Sequence, residues 1–303
     1  MSMKSKLPNF LLVGAAKCGT SSLHNYLNQH SDIFMPTYNK EGMKVKEPRF
    51  LIKDLVQNRL PKGVWNWDEY QALFDDIESQ KCLGESTVLY LYFYEHAIKN
   101  IKKYLGEDVK IIIMLRDPIY RAYSAYSFAS RTMQENQSFK NAIDSAYTRY
   151  ENDKSVSPMI LYKELGMYAD MVEAYQKNFS NVHVVLYDNF IENTTKEVKR
   201  VFDFLGVEDE KVNTKKVVNS GGKKWKSSFM KNILMGNNLF KRIFKILFPT
   251  KLRFLVKETI KRIFTEKADE IGNDVKNELL LYFKADIQKL EKLINKNLSE
   301  WKK

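Results

Sequence analysis

Four short runs along the chain are almost wholly apolar and give way to polar or loop-forming residues: Phe10–Gly14, Lys81–Glu85, Val109–Leu115 and Val182–Tyr187. Short runs rich in Val, Ile and Leu are the mark of strands buried on both faces. Between and after them, apolar residues recur at helical spacing. Thr20–Gln29 sets Leu23 and Leu27 on one face. Val198, Val201, Phe202 and Leu205 follow the i, i+3, i+4, i+7 rule, and Gly206 stands where a helix-terminating glycine belongs. Ile287, Leu290, Leu293, Ile294, Leu298 and Trp301 mark a final amphipathic helix. Strands alternating with helices predict an α/β fold with a central, mainly parallel sheet. Such sheets bind ligands outside the carboxyl ends of their strands, so the loops after each strand are where chemistry is expected.

The first of these loops reads Gly14-Ala15-Ala16-Lys17-Cys18-Gly19-Thr20-Ser21-Ser22 and leads into a helix. Small residues let the backbone turn tightly and bring several N–H groups near one anion. The helix N-terminus adds the positive end of its dipole, and three hydroxyls add donors. The spacing Gly14-x-x-x-x-Gly19 fits a Walker A loop, but Thr20 occupies its lysine position and the lysine sits earlier, at Lys17. That departure argues against ATP. A plain helix cap with a chance glycine is the competing reading.

The third strand ends in Leu115-Arg116-Asp117-Pro118, with Ser124 two helical turns on. Pro118 suits a first helical turn and Asp117 its cap. Arg116 at the strand end is placed to grip a phosphate with its forked guanidinium. Taken alone, Arg116 and Asp117 also read as a local ion pair.

Charge sharpens this picture. The chain has 303 residues with 49 Lys or Arg against 37 Asp or Glu, a formal +12, which favours anionic partners. Almost the whole surplus lies in Lys223–Lys267, where thirteen Lys or Arg face only Glu258 and Glu266, with Phe240, Ile243, Phe244, Leu247, Phe248, Phe254 and Leu255 interleaved. Two readings compete there: a solvated helical face packed on the core, or a lid presenting cations to an anionic or lipid-linked acceptor and touching an anionic membrane through 223–267. At 44% hydrophobic and 13% aromatic, the composition is that of a folded chain. Two cysteines, Cys18 and Cys82, make no disulfide framework or metal pattern. Lys4 and Lys6 before FLLVGAA resemble a secretory signal, but Pro8 and Asn9 interrupt the approach and Lys17 follows at once, so a cytoplasmic protein is expected, with peripheral contact at the inner membrane face in the lid reading.

Together these segments resemble the family of sulfotransferases that use 3′-phosphoadenosine 5′-phosphosulfate (PAPS), and the match runs through nearly the whole chain. GAAKCGTSSL resembles the family's 5′-phosphosulfate loop and IIIMLRDPIYRAYSAY its 3′-phosphate motif. KEPRFL (Lys46–Leu51) resembles the acidic segment of the glycan-modifying branch and GESTVLY (Gly84–Tyr90) the element that follows it. VVLYDNF (Val184–Phe190) with VKRVFDFLGV resembles the family's late strand and the helix after it, and DIQKLEKLINKNLSEW its C-terminal helix. The resemblance implies a P-loop-like three-layer fold in one domain over 1–303, with a nucleotide-binding core over 8–222 and a helical extension or lid over 223–303. It implies PAPS as donor and a glycan or lipid-linked sugar as acceptor, without metal and without nucleic acid. Lys17, Cys18, Gly19, Thr20, Ser21 and Ser22 would hold the 5′-phosphosulfate, Arg116 and Ser124 the 3′-phosphate, and Tyr187 the nucleotide end. Gly222, Lys223 and Lys224, in a loop beginning at Asn219, would close over the 3′-phosphate.

Glu47 would be the general base and Lys17 the stabiliser of the leaving phosphate oxygen. Arg49 and Glu85 would serve the acceptor, Glu85 by orienting it or Lys17, with an N-cap role equally open. Of His24, His30, His96 and His183, none falls in Lys44–Leu51, which is why Glu47 is preferred. A P-loop kinase is the alternative enzyme. A nucleic-acid or membrane-surface binder is the non-enzymatic one.

Overall fold

The computed structural model describes residues 6–39, 41–215, 223–226, 263–267 and 269–303. In chain order its elements are β1 (Phe10–Gly14), α1 (Thr20–Leu27), β2 (Ile33–Phe34), α2 (Lys53–Val56), α3 (Trp67–Ala72), β3 (Cys82–Ser86), α4 (Tyr94–Tyr104), β4 (Lys110–Leu115) and α5 (Pro118–Arg131). They continue with α6 (Phe139–Asn152), α7 (Tyr168–Asn178), β5 (Val182–Leu186), α8 (Tyr187–Glu192), α9 (Thr194–Leu205), β6 (Lys223–Trp225), β7 (Thr265–Lys267) and α10 (Asn273–Ile294).

Five strands form one parallel sheet in the order β2-β3-β1-β4-β5. The central strand is apolar because it has neighbours on every side: Phe10 through Val13 are fully buried. The chain builds outward from β1 to one side, then returns to the other through β4 and β5. The crevice between the loops after β1 and β4 is therefore the switch point where such sheets take ligands. The sequence pattern misses β2, since two residues carry no periodicity, and overruns β5 by one residue, because Tyr187 opens α8.

Local signals that depend on few residues hold. Asp117 caps α5, its carboxylate accepting from Ile119 N (2.8 Å) and Tyr120 N (3.3 Å), with Pro118 as the first helical residue. Gly206 closes α9 in the left-handed region at φ 79°, its N–H bonding the Phe202 and Asp203 carbonyls.

The final helix is shorter than its apolar pattern suggests. Asn295 turns left-handed (φ 48°) after Ile294, and Leu298 and Trp301 are buried around a separate 3₁₀ turn, Ser299–Lys302. There Trp301 Nε1 donates to Asp188 (3.0 Å). Within α10, the Asp286 carboxylate accepts from Tyr168 N (2.9 Å) and Ala169 N (3.1 Å), so this helix supplies the cap of α7.

The two ends of the basic stretch are strands, Lys223–Trp225 and Thr265–Lys267. β6 and β7 pair as an antiparallel ribbon, tied to α5 where Trp225 Nε1 donates to the Arg131 carbonyl (3.0 Å) and Tyr123 OH to the Asp269 carbonyl (2.7 Å). The remainder of the basic stretch, with both readings of it, lies outside the described residues. Among the described residues no helix is long and apolar enough to cross a membrane. Nor does any group of three or more His, Cys, Asp or Glu among them form a metal-binding cluster.

Candidate active site

The loop after β1 is tied to the end of β4 by a bond from Ala15 N to the Met114 carbonyl (2.7 Å). Lys17 (φ 69°) and Gly19 (φ 90°) take left-handed conformations, and Gly19 stands at the N-cap of α1. A side chain at Gly19 would meet the Tyr187 ring at 3.2 Å, so glycine is required by both backbone and space. In the first turn of α1, Ser22 N already bonds the Gly19 carbonyl (2.9 Å), while the Thr20 and Ser21 N–H groups stand ahead of the helix ladder, which leaves them for an anion. Thr20 is buried and Ser21 partly exposed, whereas Ser22 is buried and engages the Tyr26 side chain.

Cys18 lies within this loop but turns its side chain inward. Its side chain is fully buried with Sγ 3.9 Å from Tyr168 OH, and burial pushes its thiol up to about 11. Only its backbone is available to a ligand.

Cations collect around this loop. Lys17 Nζ lies 4.2 Å from the centre of the Phe128 ring, and Arg131 Cζ sits 5.7 Å from the same ring. Arg116 Cζ rests 4.6 Å from the Tyr187 ring, on the residue that also backs Gly19. Burial, then Arg131 and Arg116, bring the Lys17 ammonium down to about 8. Ser124 lies on the buried face of α5. Phe128 and Arg131 escaped sequence reasoning, although they follow Ser124 at i+4 and i+7 on the same helix and that spacing is a usable signal.

The second half of the site comes from loops distant in sequence. Glu47 lies between Lys46 (Nζ to Oε1, 3.7 Å) and Arg49 (Nη2 to Oε2, 3.4 Å), its side chain 24% exposed. Arg49 is left-handed (φ 63°), donates from Nη1 to the Lys62 carbonyl and from its backbone N to Thr87 Oγ1 (3.2 Å).

Beneath lies Glu85, fully buried. Its Oε1 accepts from Thr87 (2.6 Å), and its Oε2 from Tyr70 OH (2.6 Å) and Tyr90 OH (3.3 Å). Burial pushes Glu85 up to about 7 against those hydrogen bonds, with the Glu47 charge adding to the rise. Tyr90 OH also accepts from Leu51 N (3.2 Å). Glu85 thus fixes the loop that carries Glu47 and Arg49. It sits inside β3 rather than at a helix cap, and the Lys17 ammonium rests on Phe128 instead of on this carboxylate.

His24 is brought beside the Glu47 loop by the fold, though not by the sequence. Its Nε2 pairs with Thr37 Oγ1 (3.2 Å), and the Thr37 carbonyl accepts from Val45 N (2.9 Å). Burial, then Lys46 and Lys44, drive it down to about 3, which makes it a poor base. His30 is tied to the Glu208 carbonyl (2.9 Å), His183 stacks on Phe204, and His96 is on the surface. Lys224 pairs with Asp269 (2.6 Å) and Glu266 (3.6 Å), so its charge is already answered on the ribbon. Lys223 pairs with Lys267 in the ribbon ladder, and Gly222 lies outside the described residues.

The model of the sulfotransferase domain family matches residues 7–246. The chain belongs to that family. Among solved structures, this sulfotransferase-domain protein is similar to a sulfotransferase from Alicyclobacillus acidocaldarius, with 27% identity, a TM-score of 0.72 and coverage of 98% of this chain and 99% of that one. Among curated proteins it is similar to carbohydrate sulfotransferase 15 of Mus musculus, at 22% identity over 66% of this chain and 44% of that protein. It is also similar to heparan sulfate glucosamine 3-O-sulfotransferase 3B1 of Mus musculus, at 24% identity over 67% of this chain and 47% of that protein. The chain spans about a quarter to a half of the length of the curated relatives it matches.

Proposed function

We propose that the chain transfers a sulfuryl group from PAPS to a hydroxyl or amino group of a glycan, with Glu47 as base and Lys17 opposite the leaving phosphate oxygen. The observation that carries this reading is the meeting of Lys17, Arg116 and Arg131 with the first turn of α1 at the switch point of the sheet. Two separate anionic groups suit that arrangement. The β1 loop with Lys17, Thr20 and Ser21 fits the 5′-phosphosulfate, while Arg116 and Ser124 fit the 3′-phosphate. Tyr187, packed between Gly19 and Arg116, supports the ends of both.

Sulfuryl transfer is an in-line displacement. The acceptor oxygen or nitrogen forms a bond to sulfur as the bond from sulfur to the phosphate oxygen breaks, and the acceptor proton goes to a base. Lys17, held charged below pH 8, neutralises the leaving oxygen. Glu47 takes the proton, and its two cationic neighbours hold it in place. Glu85 is displaced toward neutrality by burial and serves as scaffold for the loop that carries Glu47. The carbohydrate sulfotransferases among the relatives support a glycan acceptor.

The test is a transfer assay with labelled PAPS against free, polymeric and lipid-linked sugars, repeated with Lys17→Met and Glu47→Gln. Label appearing in a sugar with the native protein, and lost with both variants, is the expected result. Transfer from γ-labelled ATP and none from PAPS sinks the reading.

A further inference from the structure

We infer that Arg121 is a positioning residue for the donor, a buried cation within electrostatic reach of both phosphate-contacting segments and with two of its nitrogens unpaired among the described residues. The inference rests on the donor reading above. Arg121 lies near the start of α5 and is fully buried, among the largest side chains so enclosed in the described residues. A guanidinium carries five N–H donors. Here Nη2 reaches the Tyr162 carbonyl, while Nε and Nη1 are buried with no partner among the described residues.

Glu164 acts on it from a distance, and its own Oε2 is likewise buried and unpaired. Tyr168, Cys18, Arg116 and Lys17 also feel the Arg121 charge. Tyr168 connects two of them: its hydroxyl donates to the Arg116 carbonyl (3.0 Å) and lies 3.9 Å from Cys18 Sγ. The Arg121 charge therefore reaches the β1 loop at Cys18 and the end of β4 at Arg116.

Arginine does not shed its proton on burial. An unpaired buried charge is costly, and an apolar side chain of similar volume would be cheaper to bury. The compensation fits the arrival of negative charge at the two segments above. Phosphates bound there answer a field to which Lys17, Arg116 and Arg121 all contribute.

Arg121→Met, Arg121→Gln and Arg121→Lys, with Glu164→Gln, separate the possibilities, using 3′,5′-ADP as probe in calorimetry and thermal denaturation. For Arg121→Met the unliganded melting temperature should stay level or rise, while 3′,5′-ADP binds about tenfold more weakly. In turnover, KM for PAPS should rise while KM for the acceptor holds. Arg121→Lys should keep affinity within about threefold, and Glu164→Gln should tighten binding slightly. If Arg121→Met does not fold, Arg121→Gln against Arg121→Lys carries the same comparison. Unchanged affinity without the charge, or equal loss in the lysine variant, overturns the inference. Failure of the native protein to bind 3′,5′-ADP sinks the donor reading instead, which the variants alone do not touch.

Discussion

The two sides of the site keep their charges in opposite ways. Around the β1 loop, Lys17, Arg131 and Arg116 rest on the faces of Phe128 and Tyr187, and the Lys17 ammonium is lowered toward neutrality. On the other side, Glu47 is flanked by Lys46 and Arg49, and Glu85 holds three hydroxyl donors. Aromatic faces attract cations without satisfying them as a carboxylate does. The first side is thus poised for an anion that comes and goes. The second is a finished network that holds one carboxylate in place. Substitutions on the two sides should accordingly separate binding and chemistry from stability.

The largest effect is expected at Lys17. Lys17→Met should lower kcat by about 100-fold or more, since it removes the charge opposite the leaving oxygen. The unliganded protein should lose no stability, because a desolvated cation has been replaced by an apolar chain of similar length. Initial rates and a melting curve on one preparation check both halves. Transfer within tenfold of the native rate would remove Lys17 from the mechanism.

Glu47→Gln comes next, with a fall of about 100-fold or more in kcat from loss of the base. Affinity for 3′,5′-ADP should be unchanged, because Glu47 belongs to the other side. A matching loss of nucleotide affinity would show that the two sides are not separable.

The comparison also explains what could be read before any coordinates. The β1-loop side is local in sequence: Gly14–Ser22 and Arg116–Ser124 each follow a strand and open a helix, and capping rules placed both helix starts. The Glu47 side is assembled where Arg49 and Tyr70 bond back to a local cluster of Glu85, Thr87 and Tyr90 from other parts of the chain. No periodicity encodes such pairings. His24 teaches the same lesson, since chain distance set it aside from the Glu47 loop while Thr37 brings it back. Phe128 and Arg131 were within reach, because helical spacing from Ser124 sufficed to find them.

Glu85 tests the scaffold side. Glu85→Ala leaves the hydroxyls of Tyr70, Thr87 and Tyr90 without their buried acceptor and should cost about 2–4 kcal/mol. Glu85→Gln keeps an acceptor oxygen and should cost far less. Chemical denaturation of the three proteins at one pH checks the order. An alanine variant as stable as the native protein would mean that the network holds nothing together.

The smallest effect is in pH, and its sign differs between the two sides. Glu85 is raised from 4.5 to about 7, so the folded state keeps a proton that the unfolded state has lost. Its stabilising contribution is full below 4.5 and fades as pH rises through 7. Lys17 is lowered from 10.5 to about 8, so between those values the folded state has shed a proton that the unfolded state retains. Its contribution is full above 10.5 and is lost as pH falls through 8. Glu85→Gln should flatten the fall in stability between pH 4.5 and 7, and Lys17→Met the rise between pH 8 and 10.5. Binding reverses the second trend, because the phosphates favour the charged ammonium. Affinity for 3′,5′-ADP should weaken above pH 8 in the native protein and lose that dependence in Lys17→Met. Stability curves and calorimetric titrations across the same pH series separate these effects, and a native affinity that is flat above pH 8 would take Lys17 out of nucleotide binding.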